Sequence, residues 1–94
     1  IEIDYLGLLN TALNNHPNTR HIAIISGAAK VDRSVEKQAR KAYSPYANKY
    51  DFIYLGHLPM RDILDRLAKL PKHTVVIYFL LLKDVKDFQR FGNN

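Results

Sequence analysis

The residues best suited to chemistry in this chain are Ser26, Asp32, His57 and Lys83, with the small residues Gly27, Ala28 and Gly56 beside them and Leu58 following. A hydroxyl followed by Gly27, Ala28, Ala29 and Lys30 offers a polar contact and room for a ligand to approach the backbone. It also offers free N–H groups where a helix starts. The spacing assembles no reactive set. Ser26 and His57 with an acid would make a triad, but the Gly-x-Ser-x-Gly elbow is absent. The three spaced glycines of a dinucleotide loop are missing, and no Gly-Lys-Ser or Gly-Lys-Thr occurs. A phosphoacceptor aspartate would end a central strand, where Ser26 and Leu55 stand instead. His16, His21, His57 and His73 show no metal-ligand spacing, and no two are four apart. The expectation is a binding surface, with no catalytic residue, metal or cofactor.

Charge and aromatic content narrow the partner. The 94 residues include 14 Lys+Arg and 9 Asp+Glu, a net charge of +5, which raises nucleic acid or an anionic surface as a partner. The densest basic stretch, Arg33, Lys37, Arg40 and Lys41, shares its helix with Asp32 and Glu36 and reads as a solvated face. No nucleic acid is expected. Asp62 and Asp65 with Arg61, Arg66 and Lys69 read as surface pairing. Tyr43, Tyr46, Tyr50 and Tyr54 fall on a helix stripe and a strand, which assigns them to packing ahead of base stacking. There is no cysteine, hence no disulfide frame or thiolate site.

The elements that would position these residues follow from periodicity. Asp4 to Asn15 carries Tyr5, Leu6, Leu9, Ala12 and Leu13 at helical spacing, widened by Leu8, and stops before Pro17. His21 to Ser26 is a short apolar strand of the kind buried on both faces. Asp32 is expected to cap the next helix, whose buried stripe is Val35, Ala39, Ala42, Tyr43 and Tyr46, closed by Ser44-Pro45. Tyr50 to Leu55 is a second strand. Pro59 suits the first position of a helix with the stripe Met60, Ile63, Leu64, Leu67 and Leu70. Thr74 to Leu82 is the third strand, and a weak helical pattern follows through Val85, Phe88 and Phe91.

Strands alternating with helices imply parallel pairing by right-handed crossovers, so the chain is expected to be one α/β domain spanning residues 1–94. The fold expected is a three-layer sandwich with a parallel sheet in the order 2-1-3, a flavodoxin-like half-lobe. Ligands of such sheets collect at the carboxyl ends of the strands, which here carry Ser26 to Asp32, Gly56 to Leu58 and Lys83. The third strand would lie at an edge although its run from Val75 to Leu82 is wholly apolar, an arrangement that natural sheets avoid. A further strand or a second copy is expected beside it, and the expectation is a homodimer through this edge. That run is too short to span a bilayer as a helix. Ile1 opens the chain without a methionine, a basic segment or a cleavage site, as expected of a processed or excised piece.

Several stretches together resemble a known family. His16-Pro17-Asn18-Thr19-Arg20-His21-Ile22-Ala23-Ile24-Ile25-Ser26-Gly27, then Asp32, then Leu58-Pro59-Met60-Arg61-Asp62-Ile63-Leu64 and Leu70-Pro71-Lys72-His73-Thr74-Val75-Val76-Ile77-Tyr78 look like the substrate-binding-protein-like sensor domains of bacterial membrane histidine kinases. These are related to the type 1 periplasmic binding proteins of ABC transporters. The resemblance covers about Asp4 to Lys83. It implies two α/β lobes closing on a small ligand outside the cytoplasmic membrane, with closure coupled to a cytoplasmic kinase. This chain would supply the beginning of one lobe, and the second lobe would be its partner. The positions facing the cleft would be Ser26, Gly27, Ala28, Asp32, Gly56, His57, Leu58 and Lys83. Other functions in view are the soluble binding component of a transporter, a small flavodoxin-like enzyme and a basic nucleic-acid module.

Overall fold

The computed structural model describes residues 3–27 and 30–79, with the side chains of Lys30 and Val31 left aside. Ala28, Lys83, the end of the expected third strand and the pattern through Val85, Phe88 and Phe91 lie outside the described residues. Helix α1 (Tyr5–Asn15) is followed by β1 (His21–Ile25), α2 (Lys30–Tyr43), a 3-10 turn (Ser44–Tyr46), β2 (Asp51–Tyr54), α3 (Met60–Ala68) and β3 (Thr74–Tyr78). The three strands are parallel in the order β2-β1-β3, as the alternation of strands and helices requires.

Side-chain alternation along each strand divides the interior between two faces. On one face Ile22 and Ile24 of β1 and Val75 and Ile77 of β3, with Phe79 just beyond, meet Leu9 of α1 and Val35, Ala39 and Tyr43 of α2. On the other, Ile25 of β1 and Leu55, just after β2, meet Ile63 of α3, with Ile53, Leu58 and Leu67 at the margin. Helices thus cover both faces of a small α/β sandwich. Tyr43 anchors the larger face. Its ring stacks on Phe52 at 5.5 Å and meets Tyr5 edge-on at 6.3 Å. Its hydroxyl donates to the Tyr5 carbonyl oxygen at 2.8 Å, so a buried phenol keeps a partner.

The helix starts differ in detail from the expectations. Asp4 caps α1, its Oδ1 accepting from the Gly7 N–H at 3.0 Å. Asp32 is no cap: α2 begins at Lys30, and Asp32 lies in the first turn, where its charge still suits the positive end of the helix dipole. Pro59 is the N-cap of α3 and not its first helical residue. Its backbone is extended (φ −61°, ψ 155°), and its carbonyl oxygen accepts from the N–H groups of Asp62 and Ile63.

Two apolar stripes are only half used. Leu6 and Leu8 of α1 and Met60 and Leu64 of α3 stand exposed, because helical spacing puts them on the flanks of the face that meets the sheet. Strand β3 also departs from a strand buried on both sides: Val75 and Ile77 are buried while Val76 and Tyr78 are 46% and 54% exposed. Helix α3 lies over β1 and the end of β2 and leaves that side of β3 open among the described residues.

Candidate functional site

The site is built where β1 and β2 end. Sheet pairing continues one residue past each strand, since Leu55 N–H donates to Ile24 O at 2.9 Å and Phe79 N–H donates to Ile25 O at 2.9 Å. These bonds hold Ser26 and Gly56 side by side as the chain leaves the sheet. A Cβ at position 56 would strike Ser26 Oγ and lie 2.8 Å from Ser26 O and 3.1 Å from Glu36 Oε1. Only glycine permits that approach, and it does so with an ordinary negative φ.

Ser26 is 2% exposed, and its Oγ has no hydrogen-bond partner among the described residues. A buried hydroxyl without a partner costs about 1–3 kcal/mol. Beside it, Gly27 is exposed and the Asp32 carboxylate folds back against its Cα, so a side chain at 27 would collide with that carboxylate. Asp32 engages other partners as well. Glu36, one turn further along α2, brings Oε1 to 3.1 Å from where a Cβ at position 56 would lie, while Oε2 accepts from Arg40 Nε at 3.4 Å. Arg40 in turn lies over the Tyr54 ring, 4.0 Å from its centroid, a cation–π contact.

The structure therefore brings together Ser26, Gly27, Asp32 and Gly56. His57 stands exposed next to them and Leu58 packs half-buried toward α3. Ala28 and Lys83 are outside the described residues. Arg33, Lys37, Arg40 and Lys41 are exposed, as a solvated face requires, but sequence reasoning missed the chain Glu36–Arg40–Tyr54 that Arg40 makes from that face. The i, i+4 spacing of Glu36 and Arg40 was the available signal. The Tyr54 hydroxyl is pushed above its ordinary pKa of 10.0 by burial and by Glu36, against the opposing pull of Arg40.

The opposite end of the sheet is differently made. Two open hollows of about 290 Å³ and 340 Å³ lie there, sharing Pro17, Asn18, Thr19 and His73. Their size invites a binding role, but their backbone is already engaged. The N–H groups of Arg20 and His21 both donate to His73 O, at 2.9 and 3.1 Å, and Asp51 N–H donates to Arg20 O. The Thr19 and Thr74 hydroxyls donate to the carbonyl oxygens of His16 and Pro71, and His21 Nδ1 lies 3.0 Å from Asp51 Oδ2. The hollows are spaces between closed turns, and in parallel sheets it is the other end that receives ligands.

Among the described residues no group of three His, Asp or Glu side chains could hold a metal ion, and no helix is long and apolar enough to cross a membrane. No family model, curated protein or solved structure matches this chain.

Proposed function

We propose that this chain is one wall of a small-molecule binding cleft. In this reading it is part of a lobe of an extracytoplasmic sensor domain, of the kind that bacterial membrane histidine kinases share with type 1 periplasmic binding proteins. The observation that carries the reading is the pairing of Ser26 and Gly56 at the carboxyl ends of β1 and β2, where a buried hydroxyl lacks a partner among the described residues and a glycine is required for close packing. An unsatisfied polar group beside the first turn of a helix is costly to fold around, and sites for ligands are where such costs are kept. The lobe works by presentation: the βα turns offer hydroxyl, backbone and carboxylate contacts, while the sheet beneath moves as a rigid body when the cleft closes.

A thermal-shift screen of small metabolites tests this, run on the chain and on a receptor carrying both lobes. A ligand that stabilises the two-lobed receptor and loses that effect on Gly27→Val and Asp32→Ala is the expected result. Equal stabilisation of the wild-type receptor and both variants would remove this edge from the cleft.

A further inference from the structure

The outer edge of β3 carries an inference that does not rest on the sensor reading. Hydrogen bonds to β1 use alternate residues of β3: His73 O accepts from His21 N–H, and Phe79 N–H donates to Ile25 O. With the register His21↔Thr74 to Ile25↔Tyr78, the residues turned toward β1 are Val75 and Ile77. Thr74, Val76 and Tyr78 therefore point their N–H and C=O groups away from the sheet, where no described strand pairs with them. Their side chains lie on the face that α3 leaves open, Val76 at 46% and Tyr78 at 54% exposure.

Natural edges are blunted by charged side chains, lysine above all, by proline or by a bulge. Between Lys72 and Lys83 this chain has none of these residues, and its charged side chains stop on either side of the strand. A chain with a net charge of +5 repels its own copies. Of the two edge strands, β2 begins with a charged residue, Asp51, whereas β3 keeps a neutral window along outward backbone groups that no described strand pairs with.

We propose that β3 is a self-complementary docking edge for a second copy of this chain. A two-fold axis perpendicular to the sheet would set the two β3 strands antiparallel and join two three-stranded sheets into one. With the axis at Val76, Val76 faces its own counterpart, and Thr74 faces Tyr78 of the other copy. Each of these outward residues then exchanges both N–H···O bonds with its opposite. On the open face the cross-strand pairs are β-branched with β-branched and threonine with tyrosine, combinations that favour antiparallel pairing, and no like charges are opposed. Two short edges bury little area, so the dimer is weak and exchanges with monomer.

The test is sedimentation of the full chain over a range of concentrations, paired with amide exchange at single-residue resolution. Val76→Lys and Tyr78→Lys provide variants at exposed positions, with circular dichroism to confirm the fold. The expected result is a concentration-dependent dimer whose Kd rises tenfold or more in either variant. Protection of the Val76 and Tyr78 amides should rise with concentration. A monomer at every concentration overturns the proposal. Protection of these amides that does not depend on concentration also overturns it, because residues 80–94 of the same chain would then hold the edge. A dimer that both lysine variants leave intact overturns it by placing the contact elsewhere.

Discussion

The two faces of the sheet solve the same problem at different scales. On the α1–α2 face, two helices and an aromatic stack of Tyr5, Tyr43 and Phe52 enclose Leu9, Ile22, Ile24, Val75 and Ile77. On the α3 face a nine-residue helix buries Ile63 against Ile25 and Leu55, leaving Met60 and Leu64 exposed. The first face supplies most of the folding energy, at about 1.5–3 kcal/mol for each fully buried aliphatic or aromatic side chain. The second does little more than position the turn that carries Gly56. A sheet with one heavily packed face and one lightly packed face tolerates change on the light one. The turn that carries Gly56 joins the two: Leu55 and Leu58 pack on the light side, while Gly56 itself lies close to Ser26 and Glu36 of α2.

The largest effect should come from the heavy face. Tyr43→Ala removes a ring that touches both Tyr5 and Phe52 and deletes the hydroxyl bonded to Tyr5 O. Urea unfolding should show a loss of about 3–5 kcal/mol, the usual cost of truncating a buried aromatic. A small domain has little stability to spare, so folding itself is at risk in that variant. On the light face Ile63→Ala should cost about 2 kcal/mol in the same measurement, the low end of the aliphatic range, because the neighbouring side chains Leu58 and Leu67 can close in. Equal losses at the two positions would abolish the distinction between the faces.

Alkaline titration sharpens it. Burial holds the Tyr43 phenol well above its ordinary pKa of 10.0, with further upward push from Tyr54, Tyr5 and Asp4. A group whose pKa is higher in the folded state stabilises the fold fully below its unfolded value. That stabilisation is lost as pH rises past 10, when the unfolded chain ionises first. Stability should therefore fall from about pH 10 upward, and Tyr43→Phe should flatten that fall. The same slope in wild type and variant would mean that Tyr43 does not set it. The smallest effect belongs to Leu64→Lys on the exposed flank of α3, with a change within about 0.5 kcal/mol by thermal melting. A loss above 2 kcal/mol there would show that the light face is covered in solution.

Much of this architecture was legible in the residues. The alternation of apolar strands with amphipathic helices led to the parallel sheet and its order, and Asp4 and the Ser44-Pro45 break marked helix ends where they occur. The misjudged positions share one cause. Leu6, Leu8, Met60, Leu64, Val76 and Tyr78 are apolar at the right spacing, but spacing shows which side a residue is on and not how far the neighbouring element extends. Asp32 and Pro59 were each misplaced near the start of a helix, because the turn before the helix sets which residue is last outside it. At the candidate site, Ser26, Gly27, Asp32 and Gly56 were found as strand-end residues. The approach of Glu36 to Gly56 and of Arg40 to Tyr54 was not legible, since both depend on how α2 lies across β2.

The Tyr43 hydroxyl bond has a dynamic consequence. Tyr5 meets Tyr43 of α2 on one side and, at a centroid distance of 5.3 Å, Phe79 at the end of β3 on the other. The first turn of α1 is thus a clasp between the central crossover and the edge strand. Opening any one of the three exposes an aromatic surface on the other two. They should unfold as a single cooperative unit, while α3, held chiefly by Ile63, frays from the native state on its own.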